Sequence, residues 1–581
     1  MASILPDLID PAQGAFVPGR SLVDNFLLAQ HLVRDYAVKR STPSCLIKLD
    51  ITKAYDTVFW SFLKDVMAGL GFPSRFISLV MECVCSASSS IMVNGDSHSF
   101  FPSKRGLRQG DPMAPTLFLF CIEYFSRLLN KKAKEGPFNY HKDCAGLGIT
   151  HLAFADDLML FSRGDLHSVQ VLMDALDHFS RVSGLTLNPT KSNIFLAGKY
   201  RDSSHALLAL ASFPRGQLPV RYLGLPLASQ RISESDFAPL FKTVEGYLSK
   251  WSTLKLSYAG RLELVRAVIQ GVQSFWLQVF PVQKYILDRI TSLCRNFLWG
   301  SKLAKVAWVD ICKPKTEGGL GLKDITSWNN TLLCKLLWNL AAKKDSLWVK
   351  WVHNIYIQGN DVWQWQPKKR NSVFLKRLAH VRELLVQKLA DCNSNMDMAM
   401  QPYCSAGVLI PRKIYDLFRA KANPKPWMAF IWQSFIPPKC SFTMWLALRR
   451  RLPTKTNLEF LRVPMECTFC GQELEDVDHL FFTCAVSKDV WKAVKDWLRM
   501  EGQLSTLPRA IRWMKGFKRG DGILKKARKI ALACTVFHLW KQRNSVYFDH
   551  EPLCVETMVF KIKVMVFSIL GRLWHLRTLP F

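Results

Sequence analysis

Three aspartates stand where the sequence predicts that strands end. Asp50 closes a short apolar segment, Ser44–Leu49, while Asp156 and Asp157 lie between two further apolar segments. Magnesium takes such oxygen ligands, and two ions about 3.5–4 Å apart can activate an attacking hydroxyl and stabilise a leaving oxygen. These carboxylates therefore indicate a two-metal site for phosphoryl transfer. An Asp-Asp pair taken alone, however, is more often a solvated turn.

A second set of candidate ligands lies near the C-terminus. The pattern Cys467-x₂-Cys470-x₈-His479-x₄-Cys484 places four zinc-type ligands within eighteen residues. Such spacing suits one closed, tetrahedral structural zinc ion, with Zn–S distances of about 2.3 Å and Zn–N distances of about 2.0–2.1 Å. The alternative is a set of ordinary buried cysteines, but a Cys-x₂-Cys pair followed by His and Cys favours the metal.

The charge of the chain favours a polyanionic partner. The formal charge is +32, from 78 basic and 46 acidic residues, and a hydrophobic content of 49% excludes a disordered polycation. Residues 1–200 carry 20 basic and 18 acidic side chains, whereas residues 201–581 carry 58 and 28. The longest apolar stretches are shorter than the roughly 18 residues of a membrane span, and the start lacks a secretory signal. We expect a nuclear or cytoplasmic location, no membrane association and no secretion.

Basic clusters in the second part of the chain lie close to tryptophans. Lys368-Lys369-Arg370 follows Trp365, and Arg449-Arg450-Arg451 follows Trp445. Lysine and arginine neutralise phosphates, and aromatic rings can stack on unpaired bases for about 1–3 kcal/mol each. The alternative is that these tryptophans belong to a helical core and the charges form its solvated face.

Local patterns indicate the elements that position the aspartates. A strand over Ser44–Leu49 leads into a helix with apolar residues at helical spacing from Phe59 to Leu70. A second amphipathic helix runs through Val169–Phe179, and the segments 147–155 and 158–161 predict two strands that meet at an Asp156-Asp157 turn. From about residue 231 to residue 400 the pattern is helical and basic.

Six motifs occur in a fixed order along the first 230 residues. They are FVPGRSLVDN (Phe16–Asn25), KLDITKAYDTV (Lys48–Val58), RGLRQGDPMAPTLF (Arg105–Phe118), FADDLMLF (Phe154–Phe161), GLTLNPTKS (Gly184–Ser192) and YLGLPL (Tyr222–Leu227). This set resembles the reverse transcriptase of non-LTR, LINE-type retrotransposons, and most closely the plant members. Ile431–Thr454 and the Cys–His cluster together resemble the zinc-binding region that follows those enzymes.

The resemblance implies an α+β fold built as a right-hand polymerase. A palm with partial fingers would occupy residues 1–230, and a mostly helical, basic thumb and connection would occupy residues 231–400. A small zinc-binding reverse-transcriptase-associated domain over 411–500 and a helical basic tail over 501–581 would follow.

The resemblance also implies roles for individual residues. Asp50, Asp156 and Asp157 match the catalytic carboxylates that bind two Mg²⁺ ions. Tyr55 matches the aromatic residue beneath the nucleotide sugar, which excludes a 2′-hydroxyl, although it could be an ordinary core residue. Nucleotide contacts are implied for Gln109 and Gly110 of the third motif and for Arg20 of the first. Lys191 matches a lysine that protonates departing pyrophosphate, although it could be a surface lysine.

The implied reaction is RNA-directed DNA synthesis by two-metal nucleotidyl transfer to a primer 3′-hydroxyl. Its partners would be an RNA template, a DNA primer or target, and deoxynucleoside triphosphates. Because the chain begins only fifteen residues before Phe16, we expect an N-terminally truncated copy with partial fingers and no endonuclease. His31 stands where the family usually has an acidic residue. The alternative function is a non-catalytic, nucleic-acid-binding remnant of a retrotransposon.

Overall fold

Helices and a small number of strands make up an α+β protein. The computed structural model describes residues 2–38, 41–201, 205–230, 232–300, 304–389, 395–516 and 522–578. The strands are β1 Ser44–Leu49, β2 Ser88–Val93, β3 Asp96–Pro102, β4 His151–Phe154, β5 Asp157–Ser162, β6 Asn193–Ala197, β7 Val220–Tyr222, β8 Leu225–Leu227, β9 Cys404–Ser405 and β10 Val408–Leu409.

The α-helices run through the whole chain. Up to residue 300 they are α1 Leu5–Leu8, α2 Leu22–Leu32, α3 Ala54–Thr57, α4 Trp60–Gly69, α5 Ser74–Cys85, α6 Ala114–Glu135, α7 Leu166–Ser183, α8 His205–Ala211, α9 Ala238–Ser252, α10 Tyr258–Leu264, α11 Gln270–Val279 and α12 Lys284–Trp299. The remainder are α13 Trp308–Cys312, α14 Ile325–Ala341, α15 Leu347–Val352, α16 Val373–Leu389, α17 Met396–Met400, α18 Pro411–Phe418, α19 Met428–Ile431, α20 Pro438–Leu448, α21 Ala485–Leu498, α22 Leu507–Gly516, α23 Gly522–Asp549 and α24 Val555–Thr578. Within the described ranges, none of these helices has the length and apolar content to cross a membrane.

The chain divides into two compact units, each assembled from separate stretches. The first comprises Met1–Ala238, Trp276–Pro281 and Asn330–Leu417. The second comprises Pro239–Phe275, Val282–Asn329 and Phe418–Phe581. The domain boundaries that the sequence suggests at residues 230, 400, 411 and 500 stay predictions.

A four-stranded antiparallel sheet is the centre of the first unit, with the order β4-β5-β1-β6. Strand β1 lies between β5 and β6, and five of its six residues are buried, which is why SCLIKL reads as a nearly continuous apolar run. Helices α4, α6 and α7 pack against one another through aromatic residues, with Phe62 edge-on to Tyr124 and Phe179. The predicted strand over Ser44–Leu49 and the two predicted helices are confirmed.

The turn between β4 and β5 differs by one residue from the prediction. Phe154 pairs with Asp157, so the two turn residues are Ala155 and Asp156, and Asp157 already belongs to the strand. Ala155 adopts a left-handed conformation with φ of 55°, which suits a two-residue hairpin turn. The pattern FADDLM predicted the hairpin, but the register depends on which residue opposes Phe154.

His31 is a core residue of the first unit. Its ring Nδ1 donates to the carbonyl of Leu27 at 2.7 Å, Nε2 lies 3.3 Å from Ser372 Oγ, and the ring packs against Trp351 and Phe374. Burial lowers the pKa of His31 to about 4, so the imidazole is neutral at pH 7. A neutral ring packs among these aromatic side chains without the cost of burying a charge.

Helices are the regular secondary structure of the second unit, which contains no named strand among its described residues. Helix α20 packs against α23, and α24 packs against α21 and α23. Trp445 is fully buried in α20, and its indole Nε1 donates to the carbonyl of Gly318 at 2.8 Å. The core alternative is therefore confirmed for this tryptophan, which cannot stack on a nucleic-acid base.

Candidate active site and zinc centre

Antiparallel pairing brings the three aspartates to one end of the central sheet. Leu49 of β1 pairs with Leu158 of β5, so the next residues along the two strands, Asp50 and Asp157, face each other beyond the last pair. Opposed residues in such a ladder lie about 4.5–5.5 Å apart at their Cα atoms. Asp156 is exposed in the adjoining turn, and the other two aspartates are half-buried. The structure thus brings together the carboxylates that the sequence singled out.

Electrostatic interaction among the aspartates is evident at Asp157. Burial raises the pKa of this carboxyl group, and the negative charges of Asp156 and Asp50 raise it further. Lys48 opposes the shift, with its Nζ 4.0 Å from Asp157 Oδ1. One lysine does not balance three carboxylates, so a divalent cation here would relieve their mutual repulsion.

A loop from the fifth motif encloses the backbone of Asp50. The Asp50 amide donates to Ser192 Oγ at 3.1 Å, and its carbonyl accepts from the Asn188 amide at 2.8 Å. Asn188 Oδ1 accepts from the Lys191 amide at 3.3 Å, and the Lys191 side chain is exposed. The loop therefore fixes Asp50 and carries Lys191 beside it.

Tyr55 and the third motif form a packed surface next to these carboxylates. The Tyr55 ring stacks on Phe118 at a centroid distance of 4.9 Å, and burial together with the charge of Asp156 raises its pKa. The Leu107 amide donates to the Tyr55 carbonyl at 2.6 Å. Gly106 has φ of +90°, and a Cβ there would lie 2.6 Å from the carbonyl oxygen of Asp56. A side chain at Gly106 would therefore separate the two segments.

Gln109 and Gly110 lie on the exposed side of the same loop. Gln109 Nε2 donates to Asp56 Oδ1 at 3.5 Å, a long contact that a ligand could replace. Gly110 has φ of +91° and open space around its Cα. The backbone here is accessible to a molecule that lies along the loop.

Arg20 is hydrogen-bonded to the backbone of the N-terminal segment, and its predicted contact with a nucleotide stays a prediction. Its Nη1 donates to the carbonyls of Asp10 at 2.6 Å and Gln13 at 2.7 Å, and its Nη2 donates to those of Pro6 at 3.2 Å and Ile9 at 2.6 Å. Burial lowers the pKa of Arg20. The guanidinium is engaged with the backbone of residues 6–13, so its visible role is to position that segment.

The Cys–His cluster has the dimensions of a tetrahedral zinc site. The Sγ atoms of Cys467 and Cys484 are 3.9 Å apart, and Cys470 Sγ lies 3.4 Å from His479 Nε2. Zinc–ligand bonds of standard length give edges of about 3.8 Å between sulfurs and about 3.6 Å between sulfur and nitrogen. Among the described residues, these four form the one group of three or more such ligands whose atoms all lie within 4.8 Å of one another.

Local backbone structure presents each of these ligands. The Gly471 amide donates to the Cys467 carbonyl at 2.8 Å, which closes the turn between the first two cysteines. The third ligand begins a π-helix over His479–Thr483, and Cys484 precedes α21. Glu473 Oε2 lies 2.9 Å from His479 Nδ1, so Nε2 is the ring nitrogen that would bind a zinc ion.

A buried ion pair connects this site to α23. Glu475 Oε1 accepts from Arg543 Nε at 3.0 Å and Nη2 at 2.7 Å, and both side chains are at most 2% exposed. Glu475 Oε2 accepts from the amide and hydroxyl of Thr468, which lies between two of the cysteines. Burial alone would raise the pKa of Glu475, but these donors lower it overall. Glu475 therefore stays charged and joins the cysteine turn to α23.

Two known families match the parts of the chain that contain these residues. Residues 1–227 match the family "Reverse transcriptase (RNA-dependent DNA polymerase)", and this range contains all three aspartates. Residues 1–227 are a reverse transcriptase domain. Residues 411–491 match "zinc-binding in reverse transcriptase", and they contain all four zinc-type ligands.

Proteins similar to this chain include Pol proteins of non-LTR retrotransposons. A Pol polyprotein from the type-2 retrotransposable element R2DM of Drosophila melanogaster is 30% identical over 332 residues, which cover 54% of this chain and 30% of that protein. The transposon TX1 149 kDa protein of Xenopus laevis is 26% identical, over 62% of this chain and 27% of that protein. A putative ribonuclease H protein of Arabidopsis thaliana is 36% identical, over 21% of each chain. The chain therefore spans about a fifth to a third of the length of these relatives.

Solved structures that align with this chain include apo telomerase from Candida tropicalis. The alignment covers 61% of this chain and 59% of the telomerase chain, with 13% sequence identity and a TM-score of 0.30.

The reverse transcriptase domain also contains positioning residues that the sequence patterns missed. Gln13 is buried, its Oε1 accepts from the Ala155 amide at 3.0 Å, and its Nε2 lies 3.4 Å from the Ala155 carbonyl. Asn25 Nδ2 donates to the Ala153 carbonyl at 2.7 Å. A Cβ on Gly14 would lie 2.8 Å from Asn25 Nδ2, so the glycine allows this approach. Gln13 and Asn25 together hold the hairpin that carries Asp156 and Asp157.

Proposed function

We propose that this protein is an RNA-directed DNA polymerase of a non-LTR retrotransposon. The observation that carries the proposal is the placement of Asp50 and Asp157 at the same end of two paired strands, with Asp156 in the adjoining turn of a reverse transcriptase domain. Three carboxylates at one sheet end are the donor set that nucleotidyl transfer with two metal ions requires.

Asp50 and Asp156 would hold two Mg²⁺ ions, with Asp157 in support. The oxygen-only donors and the raised pKa of Asp157 both fit a divalent cation at this position. Two bound ions supply activation of the primer 3′-hydroxyl and stabilisation of the oxygen that leaves the α-phosphate. The loop around Asp50 keeps the carboxylate in place, since both the amide and the carbonyl of that residue are hydrogen-bonded.

Other residues of the domain would bind the nucleotide and release pyrophosphate. The Tyr55 ring, supported by Phe118, would lie beneath the sugar and reject a 2′-hydroxyl. Gln109 and the open backbone at Gly110 would lie along the incoming nucleotide and template. The exposed ammonium of Lys191 would donate a proton to pyrophosphate, because its loop lies beside Asp50.

The remaining partners follow from this reaction. The template would be RNA, the primer would be a DNA 3′ end at the target, and the substrates would be deoxynucleoside triphosphates. One structural zinc ion, held by Cys467, Cys470, His479 and Cys484, would stabilise the zinc-binding region without entering the reaction.

Primer extension with the full chain tests the proposal. We expect a labelled DNA primer annealed to an RNA template to be extended when Mg²⁺ and all four deoxynucleotides are present. The matched reaction contains Ca²⁺ in place of Mg²⁺, and it should give no product. If the Mg²⁺ reaction gives no extension while the protein still binds the template, the non-catalytic alternative is favoured instead.

Replacing Tyr55 with alanine should weaken discrimination against ribonucleotides. Removal of the ring opens space for a 2′-hydroxyl, and steric selection of this size is worth roughly 10–200-fold. The ratio of kcat/KM for a deoxynucleotide to kcat/KM for the matching ribonucleotide should fall by about that factor. The matched control is Tyr55→Phe, which keeps the aromatic ring and should discriminate like the wild type. Equal ratios for the alanine variant and the wild type would contradict the role.

Replacing Gln13 with alanine should slow extension although Gln13 touches no substrate. Loss of its contacts to Ala155 frees the hairpin, and a shift of about 1 Å in a reacting group can cost on the order of 100-fold in rate. The Mg²⁺ concentration at half-maximal rate should also rise, which a purely structural defect would not produce. Gln170→Ala, at an exposed glutamine of α7, is the matched control. An unchanged Mg²⁺ dependence would refute the positioning role.

A further inference from the structure

A cavity of about 540 Å³ lies in the first unit at the far end of the central sheet from the carboxylates. Thr42, just before β1, contributes to its wall, whereas Asp50 follows the other end of that strand. The six residues of β1 span about 20 Å. The cavity is therefore separate from the site proposed for nucleotidyl transfer.

The net charge of the side chains that line the cavity is positive. The lining contains four cations and two acids. Arg34 Nε and Lys142 Nζ both approach Asp35, at 3.1 and 3.3 Å, so the carboxylate offsets part of their charge. Lys368 and Arg370 are exposed and form no ion pair with any residue in the described part of the chain. These two side chains are therefore available to an anionic ligand.

Two aromatic side chains stand beside these cations. Trp365 and Tyr356 are half-buried and line the same cavity. The Trp365 indole Nε1 donates to the Tyr356 carbonyl at 2.9 Å, so the polar edge of the ring is satisfied, and the rest of the ring lies between this cavity and apolar side chains such as Leu375. Trp365 is half-buried, whereas Trp445 is fully buried.

The backbone that carries Trp365 is fixed from behind. Arg382 of α16 is only 3% exposed, and its Nη1 donates to the carbonyls of Val362, at 3.2 Å, and Trp365. Tyr356 lies in a π-helix over His353–Ile357, an element that often occurs at functional sites. A preformed wall of this kind loses little conformational entropy when a ligand binds.

We propose that this cavity binds a single-stranded segment of nucleic acid. Lys368 and Arg370 contact its phosphates, and Trp365 stacks on an unpaired base. Cations beside an aromatic face are the combination that binds single strands without sequence preference. An acidic peptide would use the cations but would gain nothing from the stacking surface. The site goes beyond the proposed polymerase, because it would hold RNA or displaced DNA away from the carboxylates.

Fluorescence anisotropy with a labelled twelve-nucleotide oligouridylate tests this site in the full chain without Mg²⁺ or nucleotides. Lys368→Glu/Arg370→Glu should weaken binding by about 10-fold and reduce the slope of log K against log salt by about 1.4, because two phosphate contacts are lost. Trp365→Leu should weaken binding by about 5-fold or more. Lys131→Glu/Lys134→Glu, on exposed cations of α6, is the charge-matched control and should bind like the wild type.

The outcomes separate this site from the catalytic one. Both cavity variants should extend a saturating, pre-annealed primer–template at the wild-type rate. If the protein had no polymerase activity, the affinity measurement would still test the cavity, because it is made without Mg²⁺ or nucleotides. Lys368→Glu/Arg370→Glu changes only exposed side chains, so the variant should fold normally. Wild-type affinity of this variant for the oligonucleotide would overturn the proposal. The proposal would also fail if poly-glutamate displaced the oligonucleotide as well as unlabelled RNA does and Trp365→Leu had no effect.

Discussion

Changing Asp156 to asparagine is expected to lower the rate of primer extension by about 1000-fold or more, because the variant keeps the shape of the side chain and loses its charge. A neutral amide is a much poorer ligand for Mg²⁺ than a carboxylate. Asp50→Asn should have an effect of similar size, since Asp50 faces Asp157 at the end of the paired strands. Rates are measured on a pre-annealed RNA template and DNA primer at saturating Mg²⁺.

Stability should change in the opposite direction from activity in the Asp156 variant. The negative charge of Asp156 raises the pKa of Asp157, so removing the charge of Asp156 relieves this repulsion at the end of the sheet. The melting temperature of Asp156→Asn should therefore equal or exceed that of the wild type. Asp177→Asn, at an exposed aspartate of α7 that pairs with Arg181, is the matched control and should keep both activity and stability. Retention of wild-type activity by Asp156→Asn would rule out the proposed role of this carboxylate.

Removal of zinc is expected to loosen the zinc-binding region together with α23. Structural zinc sites contribute apparent binding free energies on the order of 10 kcal/mol at pH 7, and that energy is folding energy. Glu475 transmits the loss, because the same carboxylate holds Thr468 in the cysteine turn and Arg543 in α23. Once the turn opens, the charge of Arg543 has a poorer partner in a buried position, which is strongly unfavourable.

Hydrogen exchange measured by mass spectrometry follows this prediction in the full chain. Chelation should increase exchange in peptides from 467–498 and 530–549, and it should leave peptides from β1 and β5 unchanged. Cys470→Ser should reproduce the effect without a chelator. Cys554→Ser, at an exposed cysteine outside the cluster, should not. Unchanged protection of 530–549 after zinc loss would show that Glu475 does not couple the site to α23.

Short-range patterns were sufficient to predict the elements that carry the chemistry. The strand over Ser44–Leu49 follows from a run of apolar residues, and helices α4 and α7 follow from apolar residues at helical spacing. The four zinc-type ligands lie within eighteen residues, so their spacing alone restricts them to one small site. Each of these features depends on residues that are close in the chain.

Contacts between distant residues decided the rest. Gln13 holds Ala155 across 142 positions, and Arg543 reaches Glu475 across 68. No periodicity marks either residue, because a hydrogen bond to a distant backbone or side chain leaves no local repeat. The same limit applies to the hydrogen bonds that Arg20 donates to the backbone of residues 6–13, which its motif did not indicate.

The sequence by itself determined which residues can do chemistry here: three carboxylates at predicted strand ends and four zinc-type ligands at a specific spacing. Only the tertiary structure decided how those residues are held, and which tryptophan is exposed to a ligand. Trp365 and Trp445 both lie beside basic clusters, yet one lines a cavity and the other is fully buried. Burial depends on what packs against a side chain from elsewhere in the chain, and that information is absent from the residues next to it.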